Sequence, residues 1–269
     1  MSVAGAPPLP AEFTRFAVGH TELVCAAHVA DALREILAHG TLYDFAARHP
    51  AARALAGRGT AYAVPLPSCA EQAVVRHNRH GGLLAPLTGD LFRAPTRAPL
   101  ELRVSRQLIA HGVPTPAMLA YAIYRAPLGM RRVDVVTREV PESFDLAAAF
   151  MSLDTAHRAT AIAATVDLVV ALSAVGAHHA DLNIKNVLLH PVAGDNGPGG
   201  ALEAMVLDLD RLRFDEPETV LDWNLARLLR SARKWREERG ALVTQAELDE
   251  LAALIRERRS PPVRASTSS

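Results

Sequence analysis

The stretch from His178 to Pro191 constrains this chain more than any other part of it. It sets His179, Asp181 and Asn186 in the spacing H-x-D-x-x-x-x-N and runs straight into Val187-Leu188-Leu189, a short apolar strand. A second acid, Asp208, closes another apolar run, Met205-Val206-Leu207. Ahead of the loop, Thr155 to Val175 reads as a long helix apolar enough to be buried, and Gly176 stops it. A lone H-x-D fits an ordinary turn, where Asp and Asn are common. The second acid at the end of a following strand supplies the context that makes the motif a candidate site.

These residue types suit phosphoryl transfer. That reaction needs little covalent help, so a site has to place a hydroxyl in line with a γ-phosphate and neutralise charge. Mg²⁺ takes hard oxygen ligands, one or two carboxylates plus phosphates, which Asn186 and Asp208 can supply together with ATP. Asp181 is the candidate to orient the acceptor hydroxyl and receive its proton. His179 would brace the loop, and Asn183 would meet the γ-phosphate or the acceptor. The order of residues is that of enzymes of protein-kinase-like fold. The expected fold class is therefore α+β and bilobal, with an antiparallel sheet and one main helix in the N-lobe and a mostly helical C-lobe.

The upstream residues fit that plan. Ala61–Pro65 and Ala73–His77 read as two strands of a hairpin. Gly57 and Gly59 precede the first, where backbone N–H groups could lie over phosphates. Such a fold needs a cation on the second of these strands, usually lysine. The only lysines are Lys185 and Lys234, so Arg76 takes the role, its planar fork suited to phosphate oxygens. Glu101, early in a helix from Arg97 to His111, is its expected ion-pair partner. Leu119–Tyr124 and Arg132–Arg138 read as further strands, and Thr137–Glu142 as the hinge whose backbone would face adenine.

Thr21 to His39 has apolar residues at helical spacing, and Thr41 caps a second short helix that ends before Pro50. The expected organisation is a helical extension over 1–56, an N-lobe over 57–140, a C-lobe over 141–258 and a loose tail over 259–269. Helices are expected from near Asp222 and from Thr244 to about Arg256, with a turn-rich insert at 193–200.

Formal charge balances, with 29 Lys and Arg against 29 Asp and Glu, so no global field argues for a nucleic acid partner. Cys25 and Cys69 form no metal spacing and read as reduced thiols. The first ten residues lack a signal-peptide pattern, and the reading is a cytoplasmic protein. Arg79, Arg93, Arg97 and Arg211 suit an anionic acceptor, and the basic 76–97 region an anionic membrane surface. Only a dozen or so residues separate Asp208-Leu209-Asp210-Arg211 from the next helix, and Asp210 stands where protein kinases carry glycine. That leaves no room for a long peptide-holding segment, so a non-protein hydroxyl is the expected acceptor.

With these residues assembled, the chain resembles the lipopolysaccharide-core kinases that act on 3-deoxy-D-manno-octulosonic acid (Kdo). The resemblance runs from about Gly57 to Lys234. Its marks are Arg76-His77, Arg79-His80-Gly81-Gly82, Glu101, Gly112-Val113-Pro114-Thr115-Pro116, His179-Ala180-Asp181-Leu182-Asn183 with Asn186, Asp208-Leu209-Asp210-Arg211, and Asn224-Leu225-Ala226-Arg227-Leu228-Leu229-Arg230-Ser231. The family is usually more aromatic after the strand arginine and carries Arg-Gly-Gly where this chain has His80-Gly81-Gly82. The resemblance implies an ATP-dependent kinase of the Kdo 4-hydroxyl on Kdo-lipid A, peripheral on the cytoplasmic face of a Gram-negative inner membrane. The alternatives are another sugar acceptor, such as a core heptose or an aminoglycoside-like molecule, or a pseudokinase module. The missing strand lysine favours the last, and retention of Asp181, Asn186 and Asp208 together argues against it.

Overall fold

The structure is a computed structural model that describes residues 9–55, 61–79, 89–192 and 200–259. The chain forms two compact units, Met1–Arg106 with Ala117–Glu139, and Gln107–Pro116 with Val140–Ser269.

The first unit is built on a seven-stranded antiparallel sheet. Its strands are β1 (Phe13–Val18), β2 (Thr21–Ala26), β3 (Arg53–Leu55), β4 (Ala61–Pro65), β5 (Gln72–His77), β6 (Met118–Arg125) and β7 (Arg131–Arg138), ordered β1-β2-β6-β7-β5-β4-β3. The helices α1 (Ala30–His39), α2 (Leu42–Arg48) and the early turns of α3 (Ala98–Ala110) complete it, with Leu23, Leu33, Leu102, Tyr121 and Val135 in the core. Thr41 caps α2 as expected, its Oγ1 accepting from Asp44 N at 3.0 Å.

One expectation fails here. Thr21 to His39 is not one helix: Thr21–Ala26 is a strand, paired with β1 on one side and β6 on the other, and α1 begins only at Ala30. Leu23, Val24, Cys25 and Ala26 are buried in succession, so the strand shows no alternation and its apolar spacing imitates a helix. Gly19, at φ 56°, makes the tight turn between β1 and β2. The residues expected as a helical extension thus give three strands to the same sheet as β4–β7.

A buried polar network holds α2 on this sheet. The Asp134 carboxylate is fully buried. It meets His77 Nδ1 at 2.6 Å and accepts from the Tyr124 hydroxyl at 2.8 Å and from Tyr43 N at 3.0 Å. On the other side of its ring, His77 Nε2 meets Asp90 Oδ2 at 2.9 Å.

The second unit is mostly helical. Asp145 caps α4 (Leu146–Phe150) and Asp154 caps α5 (Thr155–Ala174). Helices α6 (Pro217–Arg239) and α7 (Gln245–Arg259) follow, Pro217 opening α6 where its missing N–H costs nothing. Two small sheets complete the unit. One joins β8 (Phe144–Asp145), β10 (Val187–Pro191) and β11 (Leu202–Val206), and the other pairs β9 (Ala177–His179) with β12 (Leu212–Phe214). Among the described residues α5 alone is long and apolar enough to cross a membrane. It packs against β11, α6 and α7 and buries Ile162, Val166, Leu168, Val169 and Leu172, as a core helix does.

Candidate active site

The loop begins at a backbone that only glycine can take. Gly176 has φ 69°, and a Cβ there would lie 2.2 Å from the Asp215 carbonyl oxygen. Its own carbonyl accepts from Asp215 N at 2.8 Å. The chain can therefore leave α5, turn sharply and enter β9 against β12.

His179 lies fully buried at the end of β9 and ties the loop to the strand that carries the second acid. Asp181 N–H donates to its Nδ1 at 3.2 Å, which places the ring proton on Nε2, and Nε2 donates to the Leu207 carbonyl at 2.9 Å. One ring thus orders Asp181 and the residue immediately before Asp208. From the other side Leu207 N donates to the Asn186 carbonyl at 2.9 Å, just beyond the pairing of Val187 with Val206.

The two asparagines close the loop on itself. Asn183 Nδ2 and Asn186 Nδ2 both donate to the Asp181 carbonyl, at 3.0 and 2.9 Å, and Asn183 Oδ1 accepts from Lys185 N at 2.9 Å. The Asn183 amide is thereby occupied within the loop. The Asn186 amide, held through its nitrogen, keeps its oxygen as the atom suited to a cation. Asp208 sits at φ 61°, ψ 57°, a left-handed backbone that Asp tolerates better than most side chains, at a cost of about 1–2 kcal/mol. Strain of that kind gathers at functional sites.

Helix α6 runs alongside this loop and meets it in register. Asn224 Oδ1 accepts from His179 N at 3.1 Å, while its Nδ2 donates to the Ala177 carbonyl at 2.9 Å. One turn on, Arg227 Nη2 donates to Asp181 Oδ1 at 3.1 Å. Ser231 Oγ accepts from Ile184 N at 3.3 Å. Further along, the Trp235 ring lies 5.9 Å from Lys185 Nζ, which also pairs with Asp145. Asn224, Arg227, Ser231 and Trp235 share one helix face. Asn224 and Arg227 have no role that the sequence pattern assigns, and their spacing of three residues is the signal that places them on one helix face.

Among the described residues no group of three or more His, Cys, Asp or Glu stands ready to hold a metal. The Asn186 amide oxygen and the Asp208 carboxylate offer two hard oxygens at adjacent strand ends, a donor set that fits Mg²⁺ with phosphates completing its shell.

In the first unit Arg76, on β5, pairs with Glu101 of α3. The Glu101 side chain is 5% exposed and that of Arg76 31%, so the acid is enclosed and orients a guanidinium that still reaches solvent. Gly57, Gly59 and His80-Gly81-Gly82 lie outside the described residues.

Comparison with known proteins gives this arrangement its context. Residues 46–255 match the Lipopolysaccharide kinase (Kdo/WaaP) family. A 3-deoxy-D-manno-octulosonic acid kinase of Xylella fastidiosa strain M12 is 31% identical over 201 residues, 72% of this chain and 74% of that one. One of Stenotrophomonas maltophilia strain R551-3 is 32% identical over 194 residues, 68% and 70% of the two chains. The solved structure of WaaP in complex with acyl carrier protein is similar at TM-score 0.45 and 16% identity, over 82% of this chain and 95% of that one. The protein is a phosphotransferase that acts on a hydroxyl group. More narrowly, the chain belongs to the lipopolysaccharide kinase (Kdo/WaaP) family.

Proposed function

We propose that this kinase transfers the γ-phosphate of ATP to the 4-hydroxyl of Kdo on Kdo-lipid A, working on the cytoplasmic face of the inner membrane. The observation that carries the reading is the bridge through His179, which orders Asp181 and the strand leading to Asp208 with one imidazole ring. The relatives at about 30% identity act on Kdo, which supports the acceptor.

In this reading Asp181 accepts the hydrogen bond of the attacking hydroxyl and takes its proton as the bond to phosphorus forms. Its backbone is clamped by Asn183 and Asn186, so the carboxylate does not have to be ordered at the moment of reaction. Mg²⁺, when bound, neutralises charge on the phosphates. Asn186 and Asp208 are the residues that would hold it. Arg76, oriented by Glu101, serves the nucleotide phosphates in place of the usual lysine. Asn183 acts through the loop as a positioning residue.

The test is mass spectrometry of Kdo-lipid A after incubation with MgATP. A gain of one phosphate located on Kdo, abolished in Asp181→Ala, is the expected result. Phosphate placed on the lipid A sugars and not on Kdo, or ATP bound without transfer to any sugar, would reject the acceptor or the turnover respectively.

A further inference from the structure

Trp223 is 60% exposed, and among the described residues no other aromatic side chain is exposed. It stands on α6 directly before Asn224, whose side chain bonds the backbone of His179. Its place on the helix ties it to the catalytic loop. Trp223 and Arg227 are four residues apart, which puts them about 40° from one another around the helix, with Cβ atoms about 5–6 Å apart. Arg227 in turn reaches the Asp181 carboxylate at 3.1 Å. The indole therefore flanks the acid proposed to meet the acceptor, one helical turn away.

The ring is held in place without being covered. It packs against His178, with ring centroids 5.9 Å apart and planes inclined at 38°. His178 is itself buried and fixed by Asp215, whose Oδ2 lies 2.8 Å from its Nδ1 and accepts from Arg213 Nε at 2.8 Å. Residues 209–216 alone join Asp208 to α6, a short connection that leaves the indole open. The Trp223 Nε1–H donates to no described residue. A single exposed apolar side chain is ordinary. One that borders a catalytic carboxylate and is braced from behind is placed for a ligand.

We infer that Trp223 is the platform on which the acceptor sugar ring stacks while its hydroxyl meets Asp181. A pyranose offers C–H groups on a face and hydroxyls at its edge. The electron-rich face of the indole suits the first, and the free Nε1–H suits the second. An aromatic wall with a few placed polar groups is the usual construction of a small-molecule site. The inference rests on the sugar acceptor proposed above and names the side chain that orients it.

The experiment combines acceptor kinetics with tryptophan emission of the full-length protein, which has two tryptophans, Trp223 and Trp235. Trp223→Ala and Trp223→Leu should each raise the KM for Kdo-lipid A about tenfold or more and leave the KM for ATP within about twofold. Trp223→Phe keeps an aromatic face and should stay within about threefold of the wild type for both. Kdo-lipid A in neutral detergent micelles should shift the wild-type emission to the blue, and Kdo-free lipid A in the same micelles should not. Trp223→Phe should lose the shift. An unchanged acceptor KM in Trp223→Ala overturns the assignment, and so does an equal rise in both KM values, which a purely structural role would give. An equal shift with Kdo-free lipid A also overturns it, because the indole would then meet lipid. If the emission responds to Kdo-lipid A alone but no phosphate reaches Kdo, the platform stands and the proposed reaction falls. Phosphate on Kdo with wild-type kinetics in Trp223→Ala gives the reverse.

Discussion

The Arg227 guanidinium donates to the Asp181 carboxylate at 3.1 Å across 46 residues of sequence. It reaches in from α6, one turn beyond the Asn224 side chain that bonds the backbone of His179. The acid proposed to meet the acceptor is therefore positioned by its own loop and by a helix that follows both strand ends. Arg227→Ala should lower kcat by about 100-fold, in the range seen when one preorganised charged or polar contact is removed from an active site. The KM for ATP should stay within a few fold. Added guanidinium should restore part of the rate, a rescue that general destabilisation would not allow.

Arg76 and Glu101 make a different prediction. Lysine meets phosphate as a point charge where the guanidinium fork makes two hydrogen bonds, and losing one such charge-assisted bond removes about 1.5–3 kcal/mol, so Arg76→Lys should raise the KM for ATP by about tenfold or more. Lysine keeps a charge beside the enclosed Glu101 carboxylate, so the fold should hold. Nucleotide titration by calorimetry checks this, and wild-type affinity would remove Arg76 from the nucleotide site.

Gly176 tests the loop's entry. Any Cβ there meets the Asp215 carbonyl oxygen at 2.2 Å, on a backbone that L side chains rarely adopt. Gly176→Ala should cost more than about 2 kcal/mol and lower the melting temperature by about 4–8 °C. Circular dichroism melting reads the effect, and a variant melting with the wild type would mean that β9 and β12 can separate freely.

His77 should make stability depend on pH. Burial opposes its charge, but the hydrogen bonds and charges of Asp134 and Asp90 outweigh burial and raise its pKa above the ordinary value of 6.5. Because the folded state holds the proton more tightly, the contribution is complete below about pH 6.5 and is lost as pH rises through the folded value. Melting followed from pH 6 to pH 9 should show a decline that His77→Gln removes. A parallel decline in the variant would assign it to other groups.

The loop motif, the caps and the β-hairpin of β4 and β5 were legible in the sequence because each rests on neighbours a few residues apart. Thr41 reaches Asp44, Thr244 reaches Glu247 and Asn186 reaches back to Asp181. Arg76 with Glu101 was also legible, since the missing lysine left one cation for the role and the fold supplied its partner. The strand β2 was not, because a segment buried on both sides carries no period to distinguish it from a helix.

Residue order along the chain set the chemistry available: which acids, which amides and which cation could take part. Only the tertiary structure decided that His179 would join two strands through one ring, that Asn183 would serve the loop, and that Arg227 would meet Asp181. Local spacing selects helices, turns and caps through short-range sterics and hydrogen bonds. Contacts between distant segments exist only once burial has packed one element against another, and no pattern within a few residues records them.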